Sequence, residues 1–205
     1  SILCMDIGST PNKKFSDNYQ SGVHSFEFIF KGEKLVCNSG YFQDYKNKLN
    51  LISKSTAAHS TLIIDNKSAC SFKNKNIGQS HINSAFKTSD KKIINEKNFW
   101  SIQSSHDGYL KNYGVLHKRI LNFYPESLKL IGKDKLLKKN NFKSSPFEIR
   151  FHFLPEVKLT KTQDNKTVLI ELKNSGWRFF SEDGLITIEN GLYFGNKNTF
   201  NENQN

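Results

Sequence analysis

The two-residue alternation of apolar and polar side chains constrains this chain more than any other feature. "VHSFEFIF" puts His24, Phe26, Phe28 and Phe30 on one side of an extended backbone, with Ser25, Glu27 and Ile29 on the other. That period belongs to a half-buried β-strand. "KGEK" then reads as a turn, "LVCNSG" as the returning hairpin strand, and "STLIID" as a further strand closed by the turn-forming "DNK". "GYLKNYGVLHKRILNFY" opens on glycine punctuation and continues as a strand through Ile120 and Phe123, and "SLKLIGKDKLL" reads as its successor. In "PFEIRFHFLPEVKL" the residues Phe147, Ile149, Phe151 and Phe153 fall on one face, with Glu148, Arg150 and His152 opposite. "TVLIELKN", "GWRFFSED" and "LITIENGLYF" read as three more strands joined by "NSG" and "EDG" turns. Within the polar stretch 73–105, "SFKNKNIGQSH" reads as a long loop or an edge hairpin. The best helical candidate, "INEKNFWSIQ", is short and lacks a 3.6-residue repeat. About ten to thirteen strands on one chain predict an all-β, antiparallel two-sheet β-sandwich. Phe26, Phe28, Phe147, Ile149, Phe151 and Trp177 are the expected interior.

A length of 205 residues suits one domain, and 36% hydrophobic content with 17 Phe suffices for its core. The formal charge of +11 raises nucleic acid, an anionic membrane surface or an acidic polysaccharide as a partner. Lysine carries nearly all of it, with Arg only at 119, 150 and 178, and its runs "NKKF", "KNKN" and "DKKI" are loop-like rather than on one helical face. That distribution argues against nucleic acid. Cys4, Cys37 and Cys70 are too widely spaced for a CxxC motif and allow at most one disulfide. No apolar stretch approaches the ~20 residues of a membrane span, and no signal-peptide pattern opens the chain. The absence of an initiating Met and the unclosed "FNENQN" end suggest a domain cut from a longer protein.

Six histidines are present, none in HxxxH, HxH or HExxH spacing, so a metal site would have to be assembled across strands. No nucleophile elbow, phosphate loop or dinucleotide fingerprint occurs. Glu148, Arg150 and His152 line up at ~6.6 Å per residue pair. They read either as a surface ion pair beside a solvated imidazole or as a guanidinium gripping an anionic ligand. His59, in "STAAHSTLIIDNKSACSF", either caps its strand through the hydroxyls of Thr56 or Ser60 or faces a site.

"HSFEFIFKGEKLVCNSG", "STAAHSTLIIDNKSACSF", "HDGYLKNYGVLHKRIL", "PFEIRFHFLPEV" and "GWRFFSEDGLITIENGLYF" follow one another in an order that resembles the C-terminal β-sandwich of heparinase II/III-like polysaccharide lyases. The resemblance implies cleavage of uronate-containing polysaccharides by β-elimination, in the cell envelope or periplasm of a Gram-negative bacterium. An acidic polysaccharide and the protein's own N-terminal α/α toroid are the implied partners, and the toroid supplies a Tyr and an Asn or His. The sandwich of such lyases adds a His, often in an HxH pair, and in several members zinc. Gln20 and Gly22 fall at the pair and Asn38 at the metal-binding Asp, so only His59 matches a zinc ligand and no bound cofactor is expected. The resulting expectation assigns His59 and His24 to catalysis and His106, Tyr109, Arg119, Arg150 and His152 to substrate binding, with no metal ligands. A non-catalytic carbohydrate-binding or scaffolding sandwich of the same family is the alternative.

Overall fold

In a computed structural model describing residues 1–74, 80–195 and 198–205, turn chemistry sets the strand boundaries. β1 (Ile2–Met5) pairs with β2 (Phe26–Phe30), which turns directly into β3 (Glu33–Val36). α1 (Lys48–Lys54) begins where the Asn47 side chain accepts from the Leu49 N–H, a standard N-cap. β4 (Leu62–Ile64) ends at Asp65 and Asn66, both left-handed at φ 51° and 53°, which is the "DNK" turn as read from sequence. β5 (Phe72–Asn74) and β6 (Ser80–Ile82) form an antiparallel pair, making the "SFKNKNIGQSH" segment a hairpin whose tip, 75–79, lies outside the described residues. β7 (Thr88–Glu96), β8 (Phe99–His106), β9 (Val115–Tyr124) and β10 (Lys129–Lys138) make a four-stranded sheet in the order β10-β9-β8-β7. Between β8 and β9 lies the single turn α2 (Leu110–Tyr113), closed by Gly114 at φ 67°. A Cβ at Gly114 would stand 2.6 Å from the Asn141 carbonyl oxygen, so both conformation and space require glycine. β11 (Phe147–Ile149) pairs with β4, and β12 (Lys158–Lys161), β13 (Thr167–Glu171) and β14 (Gly176–Phe180) form a three-stranded sheet. β15 (Asn190–Tyr193) pairs with β16 (Asn201–Gln204). Among the described residues these sixteen strands pair antiparallel throughout, with one isolated parallel bridge between Gly40 and Phe194, and the architecture is the expected all-β sandwich.

Two apolar clusters fill it. One gathers Phe26, Phe28, Val36, Leu121, Phe123 and Ile170, with residues from the first, second and third of the larger sheets. The other gathers Val23, Leu62, Ile64, Ile82, Phe86 and Tyr109. β9 runs through both, its alternate residues Val115, His117, Arg119, Leu121 and Phe123 all buried. Val115 belongs to the second cluster and Leu121 to the first, so His117 and Arg119 form a polar belt between them. His24 occupies the same interval on the neighbouring segment, between Val23 and Phe26.

Of the expected interior, Phe26 and Phe28 are fully enclosed, and Phe151 and Trp177 pack against the core from its margin. Phe147 and Ile149 do not belong to it, at 54% and 37% exposed. The alternation in "PFEIRFHF" does not run through one continuous strand. Pairing with β4 ends at Ile149, and His152 instead bridges to Cys37, after which both His152 and Phe153 are buried. "INEKNFWSIQ" is the turn of the β7–β8 hairpin rather than a helix, and only Asn190–Tyr193 of "LITIENGLYF" is strand. α1 escapes a periodicity reading because its buried face is Asn50, Ser53 and Lys54, while Leu51 and Ile52 are exposed. Cys4, Cys37 and Cys70 are free thiols, the last two buried. Among the described residues no helix is long and apolar enough to cross a membrane.

Phe28 packs against Phe123 and Trp177 at centroid distances of 4.9 and 5.7 Å. Phe28→Ala is therefore expected to cost ~3–5 kcal/mol, against less than about 0.5 kcal/mol for Phe147→Ala, measured by urea unfolding.

Candidate functional site

Strand register places Asp134 of β10 directly opposite Arg119 of β9. The Arg119 Nε and Nη2 donate to the two Asp134 carboxylate oxygens at 2.8 and 2.9 Å, a bidentate grip. Its Nη1 donates to the carbonyls of His24 (2.9 Å) and Ser60 (2.8 Å), residues that lead into β2 and β4. The guanidinium also lies 5.7 Å from the Phe26 ring centroid. Burial alone would raise the Asp134 pKa, but the Arg119 charge and the hydrogen bonds from His117 and Arg119 hold the carboxyl well below the usual range. The pair is ionised and internal.

Two histidines extend this network. The Gly108 N–H donates to His106 Nδ1 (3.1 Å), which leaves the proton of a neutral ring on Nε2. His106 Nε2 then donates to His117 Nδ1 (3.0 Å), and His117 Nε2 donates to Asp134 Oδ1 (2.6 Å). His24 lies edge-on to both rings at 4.8 and 4.9 Å, with φ 62° and, among the described residues, no hydrogen-bond partner for either ring nitrogen. Burial pushes the His24 pKa down to about 2, assisted by the neighbouring His117 ring and the Arg119 guanidinium. Burial likewise lowers His106 and His117, so all three imidazoles are neutral at pH 7. Tyr109 packs beside His106 at 5.5 Å and donates its hydroxyl to the Leu62 carbonyl.

His59 belongs to a separate group. It follows the 3-10 turn Thr56–Ala58, its Nδ1 donating to the Ser55 carbonyl (2.8 Å) and its Nε2 lying 3.2 Å from Gln20 Oε1. Burial lowers its pKa to about 4, so the ring is neutral and carries one N–H. With that proton on Nδ1, Nε2 is satisfied when Gln20 presents its amide nitrogen. A Cβ at position 22 would stand 2.6 Å from His59 Cδ2, so glycine there makes room for the ring. Asn38 Oδ1 accepts from the Ser60 N–H (2.9 Å). The positions aligned with the HxH pair, the Asp and the His thus converge around His59. They present one imidazole and neutral amides already engaged with the protein, a set that does not fit zinc.

His152 faces the same 3-10 turn, its Nε2 donating to the Ala57 carbonyl (2.9 Å) while Nδ1 lies within 3.0 Å of both Ser39 Oγ and Asn205 Oδ1. It is buried, with a pKa lowered by burial to about 4. Arg150 instead pairs with Glu148 (2.9 and 3.1 Å) at the surface, so the polar ladder read from "EIRFHF" is divided between solvent and interior. The structure therefore brings His24, His106, Tyr109 and Arg119 together, His59 and His152 around a neighbouring turn, and leaves Arg150 outside both groups. Sequence reasoning passed over His117 and Asp134. The signal for Asp134 was present as an acid among the lysines of "GKDKLL", across a hairpin from "HKR".

The family model described as Heparinase II/III-like, C-terminal, matches residues 1–205. No curated protein and no solved structure matches the chain.

Five buried histidines, at 24, 59, 106, 117 and 152, have folded pKa values below their unfolded ones. Above pH ~6.5 they are neutral in both states. As pH falls below that value the unfolded chain binds protons that the native one refuses, so each histidine steepens the loss of stability by up to about 1.4 kcal/mol per pH unit. Urea midpoints are expected to be flat from pH 8 to 7 and to drop steeply from pH 6 to 5.

Proposed function

Because the chain belongs to the Heparinase II/III-like, C-terminal family over all of its 205 residues, we propose that it is the β-sandwich of a polysaccharide lyase cleaving uronate-containing glycans by β-elimination. The match across the whole chain carries this reading. In such a reaction a base removes the proton α to the uronate carboxylate, the C4–O bond to the leaving sugar breaks, and the departing oxygen takes up a proton. Neutralising the carboxylate makes the α-proton acidic. A companion N-terminal α/α toroid would supply the Tyr and the Asn or His, with the chain and its toroid exported to a Gram-negative cell envelope.

Within the sandwich, His59, only 4% exposed and held on the 3-10 turn by its contacts to Ser55 and Gln20, is the imidazole this domain contributes to the reaction. His24, His106, Tyr109 and Arg119 are each at most 1% exposed, so they act through the backbone they position, the His24 and Ser60 carbonyls above all. Arg150 keeps 31% of its side chain accessible and is the cation able to reach a glycan carboxylate, while His152 supports the turn that ends at His59. A surplus of 11 positive charges favours an acidic glycan as ligand.

The replacement of the expected HxH and Asp by Gln20, Gly22 and Asn38 favours a second reading, a sandwich that binds the glycan without cleaving it. Ultraviolet absorbance of the unsaturated uronate product, with heparan sulfate and alginate as substrates, separates the two. The full-length protein should form product, and His59→Ala should lower turnover by ~10²- to 10⁴-fold while the protein stays folded, its stability falling by the ~1–3 kcal/mol expected for a lost buried hydrogen-bonded group. Glycan retention with no product from the full-length protein would establish the binding reading instead.

A further inference from the structure

We infer that His24, His106 and His117 form a binding site for a divalent transition-metal ion, with three imidazole nitrogens as ligands. One nitrogen from each ring can be chosen so that all three lie within 4.8 Å of one another. The site is built from the belt described above and is separate from the His59 group. It does not depend on the proposed lyase activity.

Three independent features support it. His24 is wholly buried, yet among the described residues neither of its ring nitrogens has a partner. A buried imidazole without partners is costly, and a metal ion beside it supplies the missing interaction. The residue is also fixed in place: its N–H donates to the Asp6 carbonyl (2.9 Å) and its carbonyl accepts from Arg119, which together hold φ at 62°. Secondly, His106 Nε2 and His117 Nδ1 are 3.0 Å apart. Two nitrogens on one tetrahedral zinc, each at about 2.05 Å, stand about 3.4 Å from one another. These two rings need almost no movement, and His24 has to approach them by roughly an ångström or more. Thirdly, His117 already has the outer-shell partner that metal-bound histidines use. Its Nε2–H donates to Asp134, which Arg119 immobilises, and this keeps Nδ1 unprotonated, with a lone pair that now accepts from His106 and can instead ligate.

The ligand set decides the class of ion. Three neutral imidazoles with no carboxylate in the first sphere suit zinc, cobalt, nickel or copper and disfavour calcium and magnesium. Burial keeps the rings unprotonated, the form that binds. Three protein ligands leave a fourth position for water or another small donor. On binding, the proton on His106 Nε2 is exchanged for one on Nδ1, so the ring stays neutral, and the 3.1 Å contact from the Gly108 N–H is given up.

The test uses the full-length protein containing this chain, loaded with zinc or cobalt and dialysed. X-ray absorption of the zinc form should show about three imidazole nitrogens at about 2.0–2.1 Å, and the cobalt form should give the intense visible bands of tetrahedral coordination. His24→Asn is chosen because asparagine tolerates positive φ. It should weaken this site by more than the roughly 10–100-fold typical of an outer-shell loss, while His59→Asn leaves it unchanged. If His24→Asn fails to fold, His106→Gln and the absorption spectrum of the unaltered protein decide the matter. Folded protein that binds no zinc, a His24→Asn variant that retains it fully, or a first shell dominated by sulfur or carboxylate would overturn the inference.

Discussion

The buried ion pair between Arg119 and Asp134 is the interaction on which the rest of the structure depends. Arg119 spends four N–H donors on Asp134 and on two carbonyls, and so ties β9 and β10 to the segments that lead into β2 and β4. Taking both charges out of water is expensive, and apolar residues of equal volume could fill such a space at similar stability. The pair is better understood as a device of registration. Sliding β10 by one residue along β9 would turn Asp134 outward and leave a guanidinium buried without its counter-charge. The two apolar clusters on either side of the belt do not carry comparable information, because hydrophobic contacts tolerate small shifts.

The histidines follow from that pair. Asp134 gives His117 a fixed acceptor, His117 gives His106 one, and the Gly108 N–H closes the series, so each tautomer is determined by its neighbour. His24 is the member the series does not satisfy. The His59 region works differently. There Gly22 provides room and Gln20 an amide where the resemblance leads one to look for imidazoles, and the result is a neutral, closely packed histidine rather than a metal ligand. One sandwich thus carries two histidine environments, one with open ligand capacity and one without.

Much of this was legible in the sequence, and the exceptions have physical causes. Phe26 and Phe28 were readable because β2 lies in the middle of its sheet with one face on the core. Phe147 and Ile149 follow the same alternation, but β11 is three residues long and leaves its sheet before that alternation reaches the interior. His106, Tyr109 and Arg119 stood out through an ordered motif. Their grouping with His24 was not readable, since it depends on β9 passing between two cores with polar residues at the crossing. α1 was invisible because its buried face is polar.

A double-mutant cycle on Arg119 and Asp134 tests the organising role of the pair most directly. Unfolding free energies would be measured for the native protein, Arg119→Met, Asp134→Leu and the double variant. Each single change leaves a buried charge without its partner and should cost ~3–5 kcal/mol, with the double variant costing about 2–3 kcal/mol less than the sum of the two. Additivity within about 0.5 kcal/mol would mean that the two residues act independently, and would contradict an organising role for the pair.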